Sequence, residues 1–231
     1  MTTRPMLRAA AAALGELGER VVYTGGATIP EYLDGVVVGT VRPTRDVDVV
    51  VELTTRAEYY AFMAQLDALG WGHPQLEGDH PICRRRTPDG LLIDVMPSDG
   101  GLLGFSNPWY AHGFDRLVEV KIEASIAIRM FPADVLLASK LEAFRTRGAV
   151  DWFGSHDLED VIPVIEGRST IVEELEAAPI EVRSFVSAWM RDLAGLAYAD
   201  EVVEAHLDPG VVRAGRLGIT LARIQSLGRT P

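Results

Sequence analysis

A mixed α/β fold (α+β), with a mixed, twisted sheet and packed helices followed by a C-terminal helical domain, is what this sequence of 231 residues predicts. Three observations predict it. Before Pro132, short β-branched segments alternate with segments of helical spacing, the pattern of strands and helices that share one sheet. Turn signals separate some of those segments, at Pro88-Asp89-Gly90 and at Asp99-Gly100-Gly101. After Pro132 the apolar residues recur at helical spacing. A domain boundary near Phe131 follows, with a first domain over 1–131 and a helical domain over 132–231.

In chain order, Arg4, Arg8 and the alanines from Ala9 to Ala13 imitate a signal peptide, but Glu16, Glu19 and Arg20 interrupt before an apolar core develops. An amphipathic first helix is the expectation. A short strand at 20–23 leads into a helical turn at 27–33, and a β-branched strand at 46–53 leads into a helix at 56–69. Strands are expected at 81–86, 91–96, 117–122 and 125–130. Helices are expected at 133–147, 157–165, 170–178, 181–196 and 210–227.

Composition narrows the classes of function. Hydrophobic residues at 48% and charged residues at 24% match an ordinary globular chain rather than a disordered one. No apolar run approaches the roughly 20 residues of a membrane span. The single cysteine, Cys83, excludes an internal disulfide, and the histidines show no zinc-ligand spacing, so a reducing, cytoplasmic location is expected. A formal charge of −11 argues against wrapping nucleic acid over the whole surface. Two local basic stretches remain as RNA candidates or solvated faces: Arg84-Arg85-Arg86, and the tail carrying Arg213, Arg216, Arg223 and Arg229. The tryptophans Trp71, Trp109, Trp152 and Trp189 lack the spacing of a base-stacking platform and are expected in packing.

The chemistry concentrates between Val21 and Asp94. Gly25-Gly26 closes the first strand ahead of a helical turn, where glycine lets backbone N–H groups approach a phosphate or simply makes a turn. Arg42-Pro43-Thr44-Arg45-Asp46-Val47-Asp48 then runs into Val49-Val50-Val51. Residues two apart on a strand share a face, so Asp46 and Asp48 present carboxylates roughly 6 to 7 Å apart along the backbone. Such a pair either converges on metal or is solvated at a strand mouth. Asp94 lies inside Leu91-Leu92-Ile93-Asp94-Val95-Met96, where an unpaired carboxylate is expensive to bury. It needs either a cation shared with Asp46 and Asp48 on an adjacent strand or a salt bridge to a nearby arginine.

This ordered set resembles the DNA-polymerase-β-type nucleotidyltransferase superfamily, which implies a nucleotidyltransferase fold for the first domain. In the second domain, Lys140-Leu141-Glu142-Ala143-Phe144-Arg145-Thr146-Arg147 and Ser155-His156-Asp157-Leu158-Glu159-Asp160 are similar to motifs of the abortive-infection (AbiEii-like) nucleotidyltransferase toxins. Uncharacterised relatives share the layout, including a segment like residues 103–110. The resemblance implies Mg2+ or Mn2+ on Asp46, Asp48 and Asp94, with Asp94 as general base. It implies a nucleoside triphosphate held by Gly25, Gly26, Arg45, Lys140 and Arg147, and matches Asp157 to a late aspartate. Helical spacing agrees, because Lys140 and Arg147 border the stripe of Leu137, Leu141 and Phe144, although plain amphipathicity places cations there too. Asp157 and Asp160 share a helix face near an N-terminus, where acids stabilise a helix in any case.

Three functions compete. The resemblance favours transfer of a nucleotide to RNA, such as a tRNA end, or to a protein, with an antitoxin as possible partner. An acidic surface suits instead a cationic small-molecule acceptor of the aminoglycoside type. The third is a nucleotide-binding module without turnover, against which the intact acidic set argues.

Overall fold

A computed structural model describes residues 3–34, 42–53, 55–74, 81–99, 107–147 and 151–230. Its strands form one six-stranded mixed sheet: β1 (Val21–Thr24), β2 (Asp46–Val51), β3 (Arg84–Arg86), β4 (Leu92–Pro97), β5 (Val118–Glu123) and β6 (Ile126–Met130), in the order β3-β4-β2-β1-β6-β5. The predicted strands are all present, with ends displaced by a few residues. The strand expected from Pro81 begins only at Arg84, since Pro81 has no N–H to give a ladder and its carbonyl accepts from Arg84 N–H in a turn at 2.9 Å.

Sheet pairing follows from the connections. β2 and β4 run parallel, which requires a crossover, and α2 (Arg56–Ala68) lies within it. The helix starts where predicted because Thr55 and Glu58 form a reciprocal capping box. Its Phe62 and Leu66 are fully buried, as are Val47, Val49, Ile93 and Val95 of the sheet, and Tyr59 donates its hydroxyl to Val95 O at 3.2 Å. β3 and β4 pair antiparallel around the predicted Pro88-Asp89-Gly90 turn, closed by Gly90 N–H to Thr87 O at 2.9 Å. The turn expected at Asp99-Gly100-Gly101 falls mostly outside the described residues. The N-terminal amphipathic helix is α1 (Arg4–Leu14), with Leu7, Ala10 and Leu14 buried.

The remaining helices are α3 (Ala133–Thr146), α4 (His156–Gly167), α5 (Ile171–Glu176), α6 (Ile180–Ala194), α7 (Ala199–Ala205), α8 (Pro209–Arg213) and α9 (Leu217–Arg229). Two differ from expectation. The single helix expected at 210–227 is split by Gly215 at φ 76°, a left-handed turn that ends α8 and starts α9 in a new direction. The short α7, seven residues with only Val202 and Val203 among its buried residues, was not expected from the sequence, too brief to show a helical period.

The chain divides into two compact units: Met1–Thr28 with Pro43–Phe131, and Ile29–Arg42 with Pro132–Pro231. The first holds the sheet. In the second, the described part of 29–42 joins the helices through Asp34, which accepts from Ser169 N–H at 2.7 Å and its hydroxyl at 2.6 Å, and through Tyr32 O, which accepts from Arg168 at 3.0 Å. Trp152 and Trp189 pack with Phe144, ring centroids 5.2 to 5.9 Å apart. Of the segment 103–110, residues 103–106 lie outside the described set. Tyr110 stacks on Phe131 at 5.2 Å, a packing role.

Candidate active site

The register of the sheet builds the site. Thr24 stands opposite Asp48, Asp48 opposite Asp94, and Asp94 opposite Arg84. Residues directly opposed on neighbouring strands present their side chains to the same face. One row across β1, β2, β4 and β3 therefore carries a hydroxyl, two carboxylates and a guanidinium. Asp46, two residues before Asp48 on β2, faces the same way. The alternate positions Val47, Val49, Ile93 and Val95 are fully buried, which anchors the register, since a slip by one residue would drive the aspartates into the core.

Arg84 bridges two of the three acids. Its Nε donates to Asp94 Oδ1 at 2.7 Å and its Nη2 to Asp94 Oδ2 at 2.8 Å, while Nη2 also donates to Asp46 Oδ2. The Thr44 hydroxyl fixes the other Asp46 oxygen, Oδ1, at 2.8 Å. Hydrogen bonding to Asp94 and the charges of both acids hold the guanidinium more firmly protonated than usual. Beside it, burial, with help from Asp94 and Asp48, pushes the Cys83 thiol up to about 12, so the adjacent arginines do not activate it.

Among the described residues no group of three His, Cys, Asp or Glu side chains is gathered as a ready metal cage. The cation that Asp46 and Asp94 share is Arg84. The residues still fit a divalent ion: the donors are hard carboxylate oxygens on one face, and two of them already converge on a positive charge. Asp48 is seated by Gly25. That glycine has φ 74°, and a Cβ there would stand 1.9 Å from Asp48 Oδ2. Gly26 opens a 3₁₀ helix (Gly26–Tyr32), and Thr28 N–H closes the turn onto Gly25 O at 3.1 Å. Arg45 is exposed on the approach to β2.

Lys140, Arg147 and Asp157 belong to the helical unit and meet there. Lys140 Nζ lies 2.6 Å from Asp160 Oδ2 and 3.8 Å from Asp157 Oδ1; Arg147 Nη1 lies 3.1 Å from Asp157 Oδ2, and Arg42 Nη2 3.7 Å from Asp160 Oδ2. The Ser155 hydroxyl caps α4 and so sets the position of both aspartates on its first turns. Burial raises the Asp157 pKa above its ordinary value, with Lys140 and Arg147 opposing the shift. A cavity of about 200 Å³ opens beside Arg147, His156 and Asp157. Another, of about 340 Å³, lies along α1 and β6 and is lined by none of the predicted site residues.

The basic stretches are largely committed elsewhere. Arg84 holds the acids. Arg216 pairs with Glu166, and Arg223 donates to Ile165 O at 2.9 Å and to Glu166 O, which ties α9 to the end of α4. Arg229 is exposed. Of the two partners expected for Asp94, a shared cation or a nearby arginine, the structure shows the arginine: a hairpin centred on Asp89 sets Arg84, not singled out in the sequence, opposite Asp94.

A search of known structures finds an antigenic nucleotidyltransferase-like protein from Paracoccidioides brasiliensis, 16% identical, with a TM-score of 0.51 over 88% of this chain and 93% of that one. The fold is nucleotidyltransferase-like. No family model matches the sequence, and no curated protein does.

Proposed function

We infer that the chain is a metal-dependent nucleotidyltransferase that moves a nucleoside monophosphate from a triphosphate to an acceptor hydroxyl, whose oxygen displaces pyrophosphate from the α-phosphorus. The observation that carries this is the row of Asp48 and Asp94 with Asp46 beside it, on one face of a nucleotidyltransferase-like sheet. Asp46, Asp48 and Asp94 would hold Mg2+ or Mn2+, which neutralises the triphosphate and activates the hydroxyl. Asp94 accepts the hydroxyl proton. Gly25 leaves the backbone bare for Asp48 to pack against, and Gly26 starts the turn whose N–H groups suit a phosphate. Lys140 and Arg147, already oriented by Asp160 and Asp157, are the proposed cations for the triphosphate, joined by the exposed Arg45.

For the acceptor, the sequence resemblance favours RNA, as in a toxin restrained by an antitoxin protein. One observation favours a cationic small molecule instead. Arg84, Arg216 and Arg223, three arginines of the two basic stretches, are bound internally, and the formal charge of the protein is −11, a balance that attracts a cation more readily than a polyanion. The test is incubation of the full chain with each labelled triphosphate, Mn2+ or Mg2+, and either total tRNA or an aminoglycoside, beside Asp48→Asn. Transfer to one acceptor, reduced about a hundredfold or more in the variant, supports the reading and selects the acceptor. Absence of any triphosphate binding removes it.

A further inference from the structure

Arg84 stands where the proposed ion would be needed, and it is built as a cation that can leave. It grips Asp94 with two parallel hydrogen bonds and Asp46 with a third, the fork geometry that makes arginine the strongest side-chain partner of carboxylates. Two carboxylates so placed repel each other unless a positive charge lies between them. Three features make the grip reversible. The Asp46, Arg84 and Asp94 side chains keep 26%, 16% and 12% of their exposure, so water can solvate the separated charges. β3 is the edge strand of the sheet and only three residues long. Among the described residues, its sheet pairing beyond β4 is an isolated bridge between Arg86 and Gly72.

We propose that Arg84 is an exchangeable counter-cation of this site: it neutralises Asp46 and Asp94 in the metal-free protein and must release them before a divalent ion binds. The proposal rests on the carboxylates being a metal site. Metal binding is then opposed by the guanidinium, because the ion's apparent affinity falls by the fraction of molecules in which the carboxylates are released. The metal-free sheet keeps its acids paired, and the ion enters by exchange rather than into an open cage. This accounts for the absence of a preformed ligand group among the described residues.

The experiment is a Mn2+ titration of the full chain, without nucleotide, read by the electron paramagnetic resonance of free Mn2+. It compares wild type with Arg84→Gln, Arg84→Lys and Asp48→Asn, each checked for folding by thermal melting. Lysine keeps the charge but lacks the fork that spans both acids. Exchange predicts that Arg84→Gln binds Mn2+ about tenfold or more tightly than wild type, that Arg84→Lys follows it closely, and that Asp48→Asn weakens binding. If only the glutamine variant gains affinity, Arg84 acts through its charge and the exchange is refuted. Equal or weaker binding by both variants also refutes it, while binding that still depends on Asp48 leaves the metal site intact. Folded proteins none of which binds Mn2+ would overturn both the exchange and the metal site beneath it.

Discussion

The sheet unit and the helical unit each hold a cluster of aspartates answered by cations, and they differ in water. On the sheet, Asp46 and Asp94 keep 26% and 12% of their side-chain exposure; in the helices, Asp157 and Asp160 keep 4% and 1%. A charge that retains some hydration can change partners at modest cost, whereas a dry one cannot lose its partner without being stranded. The first cluster is thus suited to exchanging one cation for another. The second is suited to holding Lys140 in a fixed position on Asp160 and Asp157, while the exposed Arg147 meets Asp157 from the solvent side.

The sharpest way to break this comparison is to remove one cation from each cluster. Lys140→Met leaves Asp160 dry, with Arg42 at 3.7 Å as its other ion-pair partner, and is expected to cost about 3 to 5 kcal/mol of unfolding free energy. Arg84→Gln leaves acids that water reaches, at an expected cost of about 1 to 2 kcal/mol. Urea denaturation of both variants without metal measures the difference. Equal costs would mean that hydration does not separate the two clusters.

The next effect concerns how the sheet cluster is seated. Gly25→Ala imposes a side chain on a backbone at φ 74° and drives a Cβ to 1.9 Å from Asp48 Oδ2. The expected loss is about 1 to 3 kcal/mol of stability, together with displacement of Asp48 and so of the proposed activity. An alanine variant with unchanged melting temperature and activity would show that Asp48 finds an equally good position without this contact.

What was legible beforehand divides along the same physical line. Alternation is a local signal, so the strands around Asp46 to Val51 and Leu92 to Pro97 could be read, and with them the face shared by the acids. The strand at 81–86 and a salt bridge from Asp94 to a nearby arginine were also local readings, yet three successive arginines left open which one turns to the acids until the hairpin register set Arg84 opposite Asp94. The assignment of the described part of 29–42 to the helical unit had no local signal, since it depends on Asp34 meeting Ser169, 135 residues away. The burial of Asp157 and Asp160 was likewise invisible, because a helix N-terminus is an ordinary place for exposed acids.

That burial gives the smallest effect and the most specific one. The Asp157 pKa is raised in the folded protein above its ordinary value of 3.8, mainly because burial disfavours the carboxylate. The folded state therefore retains a proton that the unfolded state has already lost. Its contribution to stability is full below pH 3.8 and is lost as pH rises through the folded value. Asp157→Asn deletes this slope without deleting the hydrogen-bonding shape. Unfolding free energies measured from pH 3.5 to pH 7 should thus show the variant gaining on wild type as pH rises, after allowance for the Arg147 contact that the neutral amide weakens. A variant that instead loses ground to wild type as pH rises would mean that Lys140 and Arg147 outweigh burial at Asp157, and that the helical cluster is wetter than its exposure implies.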